Sequence, residues 1–197
     1  VHIGILLVQS VINSFGSTAI AGYSAGMRIE SLSIVPMLAM GNAMSTFTAQ
    51  NMGAGKIDRV KEGYRMCYVI VLTAGAVLCV MYQLAGGAFV SLFLDSGSSE
   101  AYSVGLSYVK FLSFFYSFIG LKASTDGLLR GAGDVTAFTV ANLVNLAIRV
   151  SVTNLFAPIY GIQVAWMAVP LGWAANYVIS FGWYLTGKWK KVRVIKK

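Results

Sequence analysis

Gln50-Asn-Met-Gly-Ala-Gly-Lys-Ile-Asp-Arg59 (QNMGAGKIDR) decides how the rest of the chain is read. A glycine-rich turn with a lysine has the look of a phosphate-binding loop, but the pattern fails in detail. A P-loop needs G-x-x-x-x-G-K-[ST], whereas Gln50 stands five residues before Gly55 and Ile57 stands where Ser or Thr belongs. The dinucleotide pattern G-x-G-x-x-G fails at Asp58. A long apolar stretch, and no strand, leads into the turn. The glycines therefore have a mechanical use, letting two helices reverse in few residues as Gly does at helix C-termini.

Composition says what kind of helices these are. Of 197 residues, 57% are hydrophobic and 11% are charged, where a soluble domain needs about a quarter charged. A bilayer-spanning helix needs about 20 mostly apolar residues, and several segments satisfy that. The chain reads as an all-α, polytopic membrane bundle of six helices. The first, Val1–Phe15, covers only about 22 Å and is expected to be a helix cut by the boundary of the sequence. The others fall near Ala19–Gln50, Arg59–Gln83, Gly105–Leu129, Asp134–Pro158 and Ile162–Thr186. Ala85–Tyr102, with Asp95, Ser96, Gly97, Ser98, Ser99 and Glu100, reads as a longer polar connection. Residues 1–187 form the transmembrane lobe and 188–197 a basic tail.

The net charge of +8 then concerns topology and anionic lipid before nucleic acid. Placing the Met52–Lys61 loop, the Arg130 turn and the tail on one side gathers Lys56, Arg59, Lys61, Arg65, Arg130, Lys188, Lys190, Lys191, Arg193, Lys196 and Lys197 there. The opposite loops hold Asp95 and Glu100 but no Lys or Arg. This is the positive-inside pattern, which makes the basic side cytoplasmic.

A second Gly-Ala-Gly turn, LLRGAGDVTA (Leu128–Ala137), repeats the first, AQNMGAGKIDR (Ala49–Arg59), and AGYSAGMRIESL (Ala21–Leu32) lies upstream. In order, spacing and sidedness these three motifs resemble the C-terminal six-helix half of a MATE-family (multidrug and toxic-compound extrusion) transporter, of prokaryotic type and similar to the DinF-like branch. The resemblance covers essentially the whole chain. It implies that the hairpin residues Gln50, Gly53, Gly55, Arg130, Gly131, Gly133 and Asp134 are family features. It also implies that the N-terminal half of the same transporter is a missing partner. The implied activity is secondary antiport in the plasma membrane, exporting small organic cations in exchange for H⁺ or Na⁺, with no other cofactor.

Ionisable residues inside helices are costly at the bilayer centre, by about 3 kcal/mol on insertion scales, and are rarely idle. Five are candidates here: Arg28, Glu30, Lys122, Asp126 and Arg149. Arg28 and Glu30, two apart, diverge on a helix and cannot pair well. Lys122 and Asp126, four apart, share a face. They read either as a mutual ion pair or, through Asp126, as part of a cytoplasmic gate. Arg149, with Asn145 and Asn142 one and two turns earlier, reads as a structural cation or a cavity residue. Glu30 is the leading coupling candidate and Asp126 the second, since a carboxylate withdrawn from water can exchange protons near neutrality. The competing reading makes it an anchor for a cation from another helix.

A cavity for bulky cations has its own candidates. Tyr108, Phe111, Phe115 and Phe118 form a stripe at helical spacing that can attract desolvated cations. Met37, Met40 and Met44 offer an adaptable surface, and Gln9 and Asn13 lie one turn apart. For the aromatic and methionine sets, ordinary helix packing is the competing reading. Asn42 and Asn176 read as interhelical glue, and Gly22-x-x-x-Gly26 as a site of close helix approach. Pro36 and Pro170 permit bending. Trp166, Trp183, Tyr184 and Trp189 read as interfacial anchors near helix ends. Cys67 and Cys79, twelve apart on one helix, suit neither a disulfide nor a metal pair, and His2 is alone. No catalytic set or metal-ligand cluster stands out, which argues against an enzyme. Two alternatives to the antiporter stay open: a lipid-linked-oligosaccharide flippase, for which Arg28, Lys122 and Arg149 could hold a pyrophosphate, and a non-transporting membrane module.

Overall fold

In the computed structural model, residues 2–94 and 99–191 are described; Val1, Asp95, Ser96, Gly97, Ser98 and the tail from residue 192 lie outside them. The elements are α1 (His2–Asn13), α2 (Ser17–Gly53), α3 (Ile57–Ser91), α4 (Ser99–Ser113), α5 (Tyr116–Gly131), α6 (Val135–Tyr160) and α7 (Gln163–Leu185), followed by a 3₁₀ turn at Lys188–Lys191. Four helices, α2, α3, α6 and α7, are long and apolar enough to cross a bilayer, and the α4–α5 pair makes a fifth. Leu32, Val35, Val77, Val80, Leu84, Leu155, Ile159 and Val178 are all exposed around the outside. In water that belt would be an aggregation surface; in lipid it is the required one. The fold is a membrane helix bundle.

Both Gly-Ala-Gly turns are the same Schellman cap. In the first, the Gly55 amide donates to the Met52 carbonyl at 3.0 Å and the Lys56 amide to Asn51 at 2.7 Å; in the second, Gly133 donates to Arg130 at 3.0 Å and Asp134 to Leu129 at 2.9 Å. Gly55 and Gly133 take φ of 71° and 83°, the left-handed conformation this cap requires. Asp134 then caps α6, accepting the Ala137 amide at 3.3 Å and the Trp183 indole at 2.7 Å, which ties the start of α6 to the end of α7.

The hub is α5, which packs on α2, α3 and α7 and is buried along most of its length. Lipid tails supply no hydrophobic drive between helices, so close backbone approach has to. A Cβ on Gly41 would stand 2.6 Å from the Ala123 carbonyl oxygen, and one on Gly131 would stand 2.2 Å from that of Ser45. Arg130 reinforces this seam, donating to Asn42 Oδ1 at 2.8 Å. Gly22 and Gly26 serve the neighbouring seam with α4, meeting Ala101 and the Tyr108 ring.

Three expectations are corrected. The polar connection read over Ala85–Tyr102 is mostly helix: α3 runs on to Ser91 and α4 starts at Ser99. The glycines that suggested a loop instead let α4 press against α3, with the Tyr102 hydroxyl 2.6 Å from a Cβ position on Gly87. The single helix read over Gly105–Leu129 is broken at Phe114–Phe115, where its two parts bend by 52°. The Lys110 carbonyl, left by the break, accepts from Gln83 Nε2 at 2.8 Å and from Ser113 Oγ at 2.7 Å. Side chains thus replace the helical bond, and no Gly or Pro marks the place. Trp166 and Trp189 are not interfacial anchors: both are buried, Trp166 edge-on to Tyr108 and Trp189 stacked on Tyr184.

Candidate functional site

α1 rests on α6 and only touches α2, which leaves a cavity of about 300 Å³ between α2 and α6. Its walls carry Gln9 from α1, Tyr23, Glu30 and Ser31 from α2, and Asn142, Asn145 and Arg149 from α6, among apolar side chains. Glu30 is 8% exposed, and its carboxylate accepts a hydrogen bond from the Tyr108 hydroxyl of α4. Tyr108 is held in turn by edge-on rings of Tyr23 and Trp166, at 5.2 and 5.7 Å. A carboxylate positioned this firmly on a cavity wall, with no cation of its own within ion-pair distance among the described residues, is available to a ligand or an ion.

The cavity wall continues into a second polar centre. Lys122 Nζ lies 2.9 Å from Asp126 Oδ2, an ion pair within α5. Asn142 joins it from α6: its Oδ1 accepts from Lys122 at 3.2 Å and its Nδ2 donates to Asp126 at 3.3 Å. Ser180 of α7 completes the other carboxylate oxygen at 2.6 Å. Every oxygen of Asp126 therefore has a donor. Asn142 is the residue shared by this network and the cavity. Beside it, Thr125 joins a tyrosine cluster, 2.7 Å from the Tyr64 hydroxyl and 2.8 Å from that of Tyr68, which donates onward to Tyr177 at 3.3 Å.

Of the cavity candidates read from sequence, Gln9 and Arg149 share a cavity with Glu30. Asn13 is exposed and bonded to Gln9 at 3.0 Å. Arg28 lies outside the cavity, exposed, with its guanidinium 6.0 Å from the Phe93 ring centroid. Met37 is core, packed under Gly120. Phe111 and Phe115 line a separate, wholly apolar groove with Phe118, Met167, Pro170 and Leu171. Tyr108 and Phe111 both lie on α4, three residues apart, and point in different directions: Tyr108 toward Glu30 and Phe111, with Phe115, into the groove. Gln50, Gly53 and Gly55 lie at the α2–α3 turn, and Arg130, Gly131, Gly133 and Asp134 at the α5–α6 turn. Sequence reasoning missed Tyr108 as the partner of Glu30, Ser180 as the partner of Asp126, and Lys110, half-buried in α4 with its stem over Gly86. A hydroxyl's target on another helix carries no local signal; Lys110, an ionisable residue in a helix, could have been noticed.

Comparison with known proteins agrees with this architecture. The family model described as MatE matches residues 3–166. The chain is 29% identical over 192 residues to the probable multidrug resistance protein YpnP of Bacillus subtilis, an alignment covering 97% of this chain and 43% of that protein. Among solved structures it superposes on an outward-facing conformation of a multidrug resistance MATE family transporter with TM-score 0.85 and 17% identity, covering 93% of this chain and 41% of that one. An inward-facing conformation gives TM-score 0.83 at 17% identity, covering 93% and 42%. The chain thus spans about two-fifths of the length of these relatives, one lobe of a two-lobed fold. It belongs to the MatE family.

Proposed function

We propose that this chain is the C-terminal lobe of a secondary active antiporter that exports organic cations and drugs in exchange for H⁺ or Na⁺. The observation that carries the reading is Glu30, a buried carboxylate on the wall of a ligand-sized cavity, hydrogen-bonded to Tyr108 and without an ion-pair partner among the described residues. Such a group can hold either a cation or a proton, which is the exchange an antiporter needs. Asp126, also buried, is saturated by Lys122, Asn142 and Ser180, which supports reading it as a structural tie near the Arg130 end. Alternating access fits a lobe that moves as one body: the same fold matches inward- and outward-facing transporters about equally. The protein sits in the plasma membrane with both Gly-Ala-Gly turns and the basic tail in the cytoplasm, and its partner is the N-terminal six-helix lobe.

A second reading, a lipid-linked-oligosaccharide flippase, is favoured by one observation: Arg149 is on the same cavity wall, where a guanidinium would hold a pyrophosphate. Ethidium efflux from a drug-sensitive bacterium carrying the full-length protein separates the two. The assay is run with and without Glu30→Gln, in sodium-free and sodium-containing buffer, with a protonophore control. Gradient-dependent efflux lost in the variant supports the antiporter with coupling in this lobe. Efflux unchanged in the variant sends coupling to the other lobe, and no efflux from the wild type shifts the assignment to the flippase.

A further inference from the structure

The bundle ends on one side in a basic rim. The rings of Tyr64 on α3 and Tyr184 on α7 lie 4.6 Å apart, which sets the first turns of α3 beside the end of α7. Gly187, at φ 68°, then turns the chain into the 3₁₀ segment Lys188–Lys191. Trp189 pins that segment. It is fully buried and stacked on Tyr184 with 5.6 Å between centroids, and its indole N–H donates to the Tyr184 carbonyl at 3.1 Å. The lysines on either side of the pin are left exposed, each over a ring. Lys188 Nζ is 5.2 Å from the Trp183 centroid, and Lys190 Nζ is 5.7 Å from that of Trp189. Lys190 also acts electrostatically on Asp58, and Lys61 and Arg65 on the Tyr184 hydroxyl, so the cations of α3 and of the turn share one face.

We propose that this rim is a binding site for anionic phospholipid, with the phosphate among Arg65, Lys188 and Lys190 and the acyl chains along Met66, Val69 and Leu185. The carboxylates at this end of α3 are Asp58, which takes Lys61 at 2.7 Å, and the exposed Glu62. Arg59, Arg65, Lys188 and Lys190 are exposed and have no ion-pair partner among the described residues, so positive charge is in surplus. Directly behind these cations the surface is hydrocarbon. Met66, Val69 and Leu72 follow Arg65 along α3, Leu185 precedes Lys188 at the end of α7, and all four are exposed. A soluble anion would answer the cations and leave that surface bare; a phospholipid covers both. Juxtamembrane lysines and arginines attract anionic headgroups in this way, and Arg adds a fork that matches phosphate oxygens. Trp189 holds the turn in place before any lipid arrives, so little of the lysines' freedom remains to be lost on binding. The site depends neither on the antiporter reading nor on which side of the membrane the rim occupies.

Native mass spectrometry of the full-length protein in detergent tests it, with dioleoylphosphatidylglycerol and dioleoylphosphatidylcholine as probes. Phosphatidylglycerol is expected to bind at least about 25-fold tighter, roughly five-fold for each of the two lysines. The double variant Lys188→Gln, Lys190→Gln should weaken phosphatidylglycerol by about that factor and leave phosphatidylcholine as it was. Trp189→Ala keeps every charge but frees the turn, and should weaken phosphatidylglycerol about five-fold; Trp189→Phe, which can still stack, should hold it. Equal binding of the two lipids by the wild type overturns the proposal, as does a double variant that keeps the wild-type preference. Displacement of the lipid by an equal concentration of glycerol phosphate would make the rim a site for soluble anions and overturn it too. A folded Trp189→Ala protein that binds like the wild type would reduce the rim to diffuse charge, with no built site. Should Trp189→Ala fail to fold, the two lysines, both exposed, still decide the question.

Discussion

A Cβ placed on Gly127 would stand 2.1 Å from the carbonyl oxygen of Gly41. The two glycines put the backbones of α5 and α2 in direct contact, and the obstructing atom is main chain, which cannot swing away. Gly127→Val is therefore expected to cost about 3 kcal/mol or more, the upper end for overpacking, read as a large loss in the melting temperature and yield of detergent-solubilised protein. Gly53→Ala is the control. Nothing lies within 4 Å of a Cβ there, and alanine is the better helix former, so that variant should melt no lower than the wild type. A similar loss in both would remove the close-approach account.

The Schellman caps give a prediction that depends on position within one motif. Gly55 and Gly133 have φ of 71° and 83°, which costs a non-glycine residue about 1–2 kcal/mol. Gly55→Ala and Gly133→Ala should each destabilise by that amount, and the Asn variants by less, since Asn tolerates the left-handed region. Thermal melts of the four proteins measure it. Equal effects of Ala and Asn would mean that something other than φ is at stake.

Much of this fold was legible because its signals are local. Leu128–Ala137 announces a helix end, a reversal and a new helix in ten consecutive residues, and the repeat at Ala49–Arg59 made the pattern specific. The break at Phe114–Phe115 was not legible, because part of what compensates it comes from Gln83, 27 residues before the Lys110 carbonyl it satisfies. The site divides in the same way. Glu30 and Arg149 stood out as ionisable residues within apolar helices, but that they share a cavity depends on how α1 spaces α2 from α6. The aromatic stripe misled because residues three apart on a helix still diverge by about 60°. On α4 itself Tyr108 faces Glu30, while Phe111 joins Phe115 in the groove with Pro170 and Leu171.

Tyr108 and Glu30 should respond differently to changes of similar size. Tyr108→Phe keeps the ring packing against Tyr23 and Trp166 but leaves a buried carboxylate short of a donor, at a cost of about 1–3 kcal/mol. Glu30→Gln keeps an acceptor for the hydroxyl and should cost less. If melting shows the reverse order, the hydroxyl is not what holds Glu30.

The Lys122–Asp126 pair tests whether this centre is a tie or a working acid. It joins three helices: Lys122 and Asp126 lie on α5, Asn142 on α6 and Ser180 on α7. Removing one partner leaves the other charge buried and uncompensated, so Lys122→Met or Asp126→Leu alone should cost about 3–5 kcal/mol. Replacing both removes the desolvation burden along with the attraction, and the double variant should recover most of that loss. A structural tie further implies that the double variant, once folded, still transports, because no step of the exchange passes through Asp126. Melting temperatures for the cycle and efflux by the double variant are the two readouts. Stability recovered with efflux abolished would make Asp126 a working residue.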